Sequence, residues 1–104
     1  RLLKTVKSSK NCKCAYYKYP IILDSKIDAE HLRKDLFEDF GIETGSIFYP
    51  PCHMQTVYRK LGVSTHGSLA VAERVLAQTI ALPIHVDLRD LDVEYVIESV
   101  TSLT

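Results

Sequence analysis

Several features that would place this sequence in a special class are scarce or missing. It has only four Gly and four Pro in 104 residues, and 25% of its residues are charged. That composition is typical of a globular chain and excludes a fibrous or disordered one. There is no run of 18 apolar residues, so no transmembrane segment is predicted. The sequence also begins without an initiator Met and without the apolar core of a signal peptide, so we expect a fragment or a processed chain.

Cysteine is scarce as well. The chain has three cysteines, at positions 12, 14 and 52. The number is odd, the first two are too close together for an easy bridge, and a small secreted domain would normally carry more. We therefore expect a reducing, cytoplasmic location. The Gly-rich phosphate-binding motifs of dinucleotide-binding proteins and P-loop proteins are also missing.

Negative charge is missing from the first 23 residues of the chain. Arg1 and five lysines precede the first acid, Asp24, and all 13 acids follow Lys18. Such a basic end could meet phosphates, but it lacks the aromatic and Gly pattern of a nucleic-acid-binding segment. We interpret residues 1–14 as a basic linker or arm, which could pair with another part of a longer protein, and residues 15–104 as one domain. No nucleic-acid or membrane partner is predicted.

The residues after this arm alternate between strand-like and helix-like apolar patterns. Period-two patterns predict three strands, at residues 15–24, 42–49 and 82–86. Pro20 places the first of these at a sheet edge or marks a bulge in it, and Pro83 places the last at an edge. Patterns with a period of 3.6 predict four helices, at residues 29–40, 53–62 and 69–81 and from Asp90 or Asp92 onward.

The predicted order is β-α-β-α-α-β-α. Three short strands with helices packed on one side indicate an α+β, two-layer sandwich. One face of such a sheet would stay bare and would need a partner. The helix over 29–40 has the clearest signals: Asp28 as N-cap, Gly41 as a left-handed stop, and a single apolar stripe. The stripe is formed by Leu32, Leu36, Phe37 and Phe40.

The segment YPPCHMQ, residues 49–55, holds the residue types that carry chemistry. Structural zinc sites use cysteine pairs separated by two to four residues, whereas Cys12 and Cys14 are separated by one and Cys52 and His53 by none. Adjacent side chains also diverge, so His53 is a poor base for a Cys52 nucleophile. We therefore predict no metal site and no catalytic residue in this chain, and we interpret Cys52 as a small packed residue.

Taken in order, these segments resemble the C-terminal small domain of the DegT/DnrJ/StrS family of PLP-dependent sugar aminotransferases. The resemblance covers roughly residues 15–101 and is carried by an ordered set of short motifs. They are the Tyr-rich first strand, Phe40-Gly41-Ile42 with Thr44-Gly45, Tyr49-Pro50-Pro51 with His53 and Tyr58, Val71-Ala72-Glu73, Leu82-Pro83-Ile84-His85, and Asp92-Val93 with Tyr95-Val96-Ile97. The sequence departs from the family pattern at Val86 and at Arg89. We expect Asp90 to cap the last helix in place of the family's Ser or Thr.

The resemblance implies an aspartate-aminotransferase fold, also called fold type I, and a larger enzyme that uses pyridoxal phosphate. Such an enzyme transfers an amino group from glutamate or glutamine to a keto-sugar nucleotide, for a cell-surface polysaccharide or a secondary metabolite. It implies two partners, an N-terminal large domain and a second subunit of a homodimer. Tyr49 and His53 would border the substrate cleft. The family's PLP lysine belongs to the large domain, so we expect no cofactor on this chain and no activity from it alone.

Two other classes of function stay open at this point. The chain could be a stand-alone protein-interaction module that shares the fold without catalysis. It could also be a metal- or thiol-dependent protein that uses Cys12, Cys14, Cys52 and His53. A gene with a large domain upstream of Arg1 would favour the enzyme, and a metal-free folded protein would exclude the metal hypothesis.

Overall fold

A three-stranded antiparallel sheet forms one layer of the protein. The computed structural model describes residues 2–104. The strands are β1 (Leu3–Thr5), β2 (Tyr19–Leu23) and β3 (Thr79–Leu82), in the spatial order β1-β2-β3. Strand β1 lies inside the basic segment, where no strand was predicted, and pairs with β2 from Leu3↔Leu23 to Thr5↔Ile21. The division of the chain at residue 15 itself stays a prediction.

Strand β2 is the central strand, so the prediction that Pro20 marks an edge is wrong. The N–H of Leu23 donates to the carbonyl of Gln78 beside β3, and the N–H of Asp24 donates to Leu2 on the side of β1. Because N–H groups alternate in direction along a strand, the nitrogen of Pro20 faces the side of β1. The β1 ladder ends at Ile21, so the missing donor of Pro20 removes no sheet hydrogen bond.

Four helices complete the α+β fold. They are α1 (Ala29–Phe40), α2 (Thr56–Lys60), α3 (Ala70–Ala77) and α4 (Asp90–Leu103), with a 3₁₀ turn at Cys52–Met54. Helix α1 confirms its sequence signals. The Asp28 carboxylate accepts a hydrogen bond from the N–H of His31 at 2.8 Å, and Gly41 ends the helix at φ 66°.

The hydrophobic core lies between the sheet and helices α1 and α4. Its buried members come from both layers, which confirms the two-layer architecture. They are Ile21, Leu23, Leu32, Leu36, Ile42, Ile80 and Val100. Phe40 packs at the margin of this cluster, but Phe37 is 61% exposed and does not belong to the buried stripe. Successive residues of an α-helix are rotated by about 100°, so Phe37 points away from the direction of Leu36, toward the outside.

Besides the added strand β1, the elements differ from the prediction at two places. Residues 42–49 do not form a strand and contribute only a single bridge, Gly45↔Ala81. Helix α3 ends at Ala77, and the third strand begins at Thr79 instead of at residue 82. The apolar run of residues 79–82 fits both a helix face and a buried strand, and pairing with β2 decides for the strand. The observed order is β-β-α-α-α-β-α.

Helix α4 begins differently from the prediction. Its N-cap is Arg89, and Asp90 is the first helical residue. The carboxylate of Asp92 accepts hydrogen bonds from the backbone N–H of Arg89 at 3.0 Å and from its guanidinium at 2.8 and 2.9 Å. This is the return half of a capping box, so Asp92 rather than Asp90 stabilises the helix start. Within residues 2–104, no helix has the length and apolar character needed to cross a membrane.

Candidate functional site

The connection between α1 and α2 carries both residues that the sequence singled out. It leaves the core at Ile42 and touches the sheet once, through a pair of 2.9 Å hydrogen bonds between Gly45 and Ala81. The ammonium group of Lys18 then donates to the carbonyl of Ser46 at 2.8 Å. These contacts fix the start of the connection against strand β3 and the segment before β2.

The next turn has an unusual backbone. Phe48 has a φ of 47° and a side chain that is 78% exposed, and the peptide bond between Tyr49 and Pro50 is cis. A non-glycine residue in the left-handed region costs about 1–2 kcal/mol, and such residues are concentrated at functional sites. Pro51 is buried, and the side chain of Gln55 donates to the carbonyl of Pro50 at 2.9 Å. The turn is therefore anchored on both sides of the exposed aromatic pair Phe48 and Tyr49.

Tyr49 lines a cleft of about 430 Å³. The cleft is also lined by residues at the start of α1, including the N-cap Asp28 and Arg33, and by the end of α3 with Thr79. The cleft therefore combines a phenol, carboxylates, a guanidinium and Lys26 on the loop before α1. Groups of these types can hold a polar ligand with hydroxyl and anionic groups.

His53 is placed differently from Tyr49. It belongs to the 3₁₀ turn, and it is not among the described residues that line the Tyr49 cleft. Its Nε2 lies 2.7 Å from Oε1 of Glu73 on helix α3, and its side chain is only 19% exposed. The resemblance placed His53 at the substrate cleft and Glu73 in the Val71-Ala72-Glu73 motif, but nothing in the sequence paired the two residues. The two residues are 20 positions apart, and only the fold brings them together.

Arg33 is a second residue that sequence reasoning missed. Its Nη2 lies 3.5 Å from the carbonyl of Thr44, and it lines both the Tyr49 cleft and a neighbouring cleft of about 320 Å³. Among the described residues, its Nε and the hydroxyl of Thr44 are buried polar atoms without a hydrogen-bond partner. Buried polar atoms are satisfied in most proteins, so this pair marks a place where a ligand or a further protein surface would be accommodated.

The three cysteines do not build a site. All three are free and exposed, so the interpretation of Cys52 as a packed residue is wrong. The neighbouring Pro51 is the buried residue of the turn, and the backbone directs Cys52 outward. Throughout residues 2–104, no three His, Cys, Asp or Glu side chains lie close enough together to hold a metal ion.

This fold and this ordered set of motifs define an aminotransferase small domain. The family model for the DegT/DnrJ/EryC1/StrS aminotransferase family matches residues 2–101. The chain therefore belongs to the DegT/DnrJ/EryC1/StrS aminotransferase family. A comparison with curated protein sequences finds no match.

The solved structures that this chain resembles are aminotransferases as well. The aminotransferase TlmJ from Streptoalloteichus hindustanus is 30% identical over 97% of this chain, with a TM-score of 0.78. PseC from Helicobacter pylori, an aminotransferase involved in the biosynthesis of pseudoaminic acid, is 26% identical over 82%, with a TM-score of 0.68. An aminotransferase of this family from Brucella abortus is 23% identical over 98% and shares the fold, with a TM-score of 0.81.

The chain spans about a quarter of these relatives. It covers 26% of the TlmJ and Brucella chains and 22% of PseC. The similarity therefore places this chain in one part of the family's fold, and the roles of Tyr49 and His53 at a substrate cleft stay predictions.

Proposed function

We propose that this chain is the C-terminal small domain of a PLP-dependent aminotransferase that transfers an amino group from glutamate or glutamine to a keto-sugar nucleotide. The observation that carries the proposal is the family match over residues 2–101 in a chain that spans only 26% of TlmJ. The product would enter the biosynthesis of a cell-surface polysaccharide or of a secondary metabolite. The involvement of PseC in the biosynthesis of pseudoaminic acid supports a biosynthetic role.

A long exposed segment supports the proposal that a further domain covers this one. Every residue from 55 to 74 is exposed, although the segment includes α2 and the first part of α3. It carries six large apolar side chains, which is unusual for a free surface. They are Val57, Tyr58, Leu61, Val63, Leu69 and Val71. The radius of gyration is 15.8 Å, whereas a compact domain of 100 residues has one of about 13 Å. We assign this segment to contact with an N-terminal large domain or with the second subunit of a homodimer.

The residues of this chain do not fit pyridoxal phosphate on their own. The cofactor needs a sheltered lysine, a partner for its pyridinium nitrogen and a phosphate cradle, and when bound it acts as the electron sink of amino transfer. Every lysine of residues 2–104 is exposed except Lys18, and Lys18 donates to the carbonyl of Ser46. The proposal therefore assigns the cofactor to the large domain, and no step of the reaction is assigned to this chain's lysines.

What this chain would contribute is one wall of the substrate cleft. Tyr49 offers a phenol, and Arg33 a guanidinium that suits a phosphate. His53 offers an imidazole that can hydrogen-bond a sugar hydroxyl. Such contacts orient the substrate and exclude water without forming a covalent bond.

The test uses the longest open reading frame that contains these residues. We expect the purified protein to bind PLP and to aminate a nucleotide-linked keto sugar with glutamate or glutamine as donor. His53→Ala and Tyr49→Phe should each lower kcat/KM by about tenfold, as expected for one lost hydrogen bond. Glu98→Gln, at an exposed position of α4 outside the clefts, is the control and should leave kcat/KM unchanged. A reading frame that begins just before Arg1, or a complete protein that binds no PLP, would refute the proposal.

A further inference from the structure

Glu73 and His53 form the shortest hydrogen bond between two side chains within residues 2–104. Their 2.7 Å separation is within the range of a charge-assisted hydrogen bond. The pair joins the 3₁₀ turn at Cys52–Met54 to the first turn of α3, across 20 residues of sequence. It is therefore a tertiary contact and not a consequence of neighbouring positions on one helix.

A second histidine of the chain provides a comparison. His31 and Asp35 are one turn apart on helix α1, and their charged atoms are 3.5 Å apart. The side chain of His31 is 74% exposed, whereas that of His53 is 19% exposed. A solvent-exposed pair such as His31 and Asp35 contributes little to stability and does not hold the imidazole ring in one orientation. The shorter and better shielded pair at His53 is able to hold an imidazole ring in one orientation.

We propose that Glu73 is a positioning residue, which keeps the proton of His53 on Nε2 and so presents Nδ1 as the hydrogen-bond acceptor for a hydroxyl group of a sugar ligand. The reason is the chemistry of imidazole. In the neutral ring one nitrogen donates and the other accepts, and the partner of one nitrogen decides the role of the other. An ionised carboxylate only accepts, so Glu73 requires a proton on Nε2. The lone pair is then on Nδ1, which this bond leaves free.

The ligand class in this inference rests on the proposed function, whereas the positioning role rests on the structure alone. Without Glu73 the ring could rotate about its side-chain bonds, and either nitrogen could carry the proton. A sugar hydroxyl would then meet a donor in some molecules and an acceptor in others. Glu73 itself needs no contact with substrate, and it acts only through His53.

The decisive experiment is nitrogen-15 NMR of the imidazole rings in the 104-residue chain at a pH where histidine is neutral. Loss of signals in His53→Gln identifies the ring of His53. In the unmodified chain we expect its proton on Nε2, with slow exchange against water. Glu73→Ala should speed that exchange by about tenfold or more, because a hydrogen bond to a charged group is lost. Glu73→Gln keeps a neutral acceptor and should restore part of the protection.

The controls separate positioning from a structural role. The exposed rings of His31 and His66 should not change in either variant. If Glu73 merely stabilised α3, Glu73→Ala would shift the backbone amides of residues 70–77 and leave the His53 ring proton protected, and this result would overturn the proposal. A proton on Nδ1 in the unmodified chain would overturn it as well. Neither outcome depends on PLP or on amino transfer, so failure here is distinct from failure of the proposed function.

Discussion

Asp92 shows at the scale of single residues how an unexpected cap works. Hydrogen bonds from the side chain and then the backbone of Arg89 lower the pKa of Asp92 from 3.8 to about 2, with smaller Coulombic contributions from Arg89 and His85. The carboxylate of Asp92 also lies in the first turn of α4, where the helix dipole favours negative charge. Arg89 is therefore tolerated at a position where Ser or Thr is usual, because Asp92 takes over the cap.

This pairing predicts a pH dependence of stability. Because the pKa of Asp92 is lower in the folded chain, its contribution is fully present above about pH 4 and is lost as the pH falls toward 2. Asp92→Asn should lower the melting temperature at pH 7 and should lower it much less at pH 2, where much of the carboxyl is protonated. Added salt should reduce the difference, since the pair is exposed. Thermal unfolding by circular dichroism at both pH values measures it.

Asp90→Asn is the matched control for this prediction, because it removes the same charge from the same turn. It should change the melting temperature less than Asp92→Asn does at pH 7. Equal effects of the two substitutions would mean that general helix-dipole charge, and not the bonds to Arg89, stabilises the start of α4.

The role of a single residue was predictable from the sequence where it depends only on neighbouring positions in the chain. Asp28 and Gly41 act within four positions of the helix end that they cap, and both are confirmed. Cys52 and Glu73 were not predictable in this way. The exposure of Cys52 depends on Pro51 taking the buried position, and the role of Glu73 depends on a histidine 20 residues earlier.

At the scale of elements, helix α1 shows what a strong periodic signal can and cannot predict. Its bounds, Ala29–Phe40, follow from its caps and its apolar period. Its buried face does not follow completely, because Leu36 is fully buried while Phe37 is 61% exposed. A period of 3.6 defines the direction of the stripe but not its width, which depends on how closely the sheet and α4 approach.

This difference gives a stability prediction for two adjacent residues. Leu36→Ala should lower the free energy of unfolding by about 2–5 kcal/mol, because it leaves a cavity in the core. Phe37→Ala removes a larger side chain but should cost less than about 1 kcal/mol, as expected for an exposed position. Urea unfolding followed by circular dichroism measures both. A larger cost for Phe37→Ala would mean that Phe37 packs against the core.

The strands were harder to predict than the helices. Strand β1 is three residues long and gains its structure only by pairing with β2, so the polar segment around it gave no signal. Residues 42–49 have a strand-like composition, yet only Gly45 reaches β3. Strand identity depends on which partner edge is within reach, and a single sequence does not contain that information.

At the scale of the whole molecule, the fold and the family were predictable from the sequence. The position of the exposed apolar surface was predictable only in outline. The two-layer architecture follows from the count and type of elements, and the family from motifs spread over most of the chain. A bare sheet face was expected to need a partner. The structure places one run of exposed apolar side chains on α2, the first turn of α3 and their connection, and further ones on α4, among them Leu91, Val93 and Ile97.

The segment from residue 55 to 74 predicts how the 104-residue chain behaves without a covering domain. Burying a side chain such as Leu61 in a contact between copies would contribute about 1.5–3 kcal/mol, so the chain should self-associate as its concentration rises. Leu61→Glu should shift this association to a concentration at least about tenfold higher, since 1.4 kcal/mol corresponds to a factor of ten. Thr56→Glu, on the same helix, adds the same charge without removing apolar surface, and it should have a smaller effect. Sedimentation velocity over a concentration series measures all three proteins. If the unmodified chain stays monomeric throughout, or if both variants shift association equally, the apolar segment is not the surface through which this domain meets its partner.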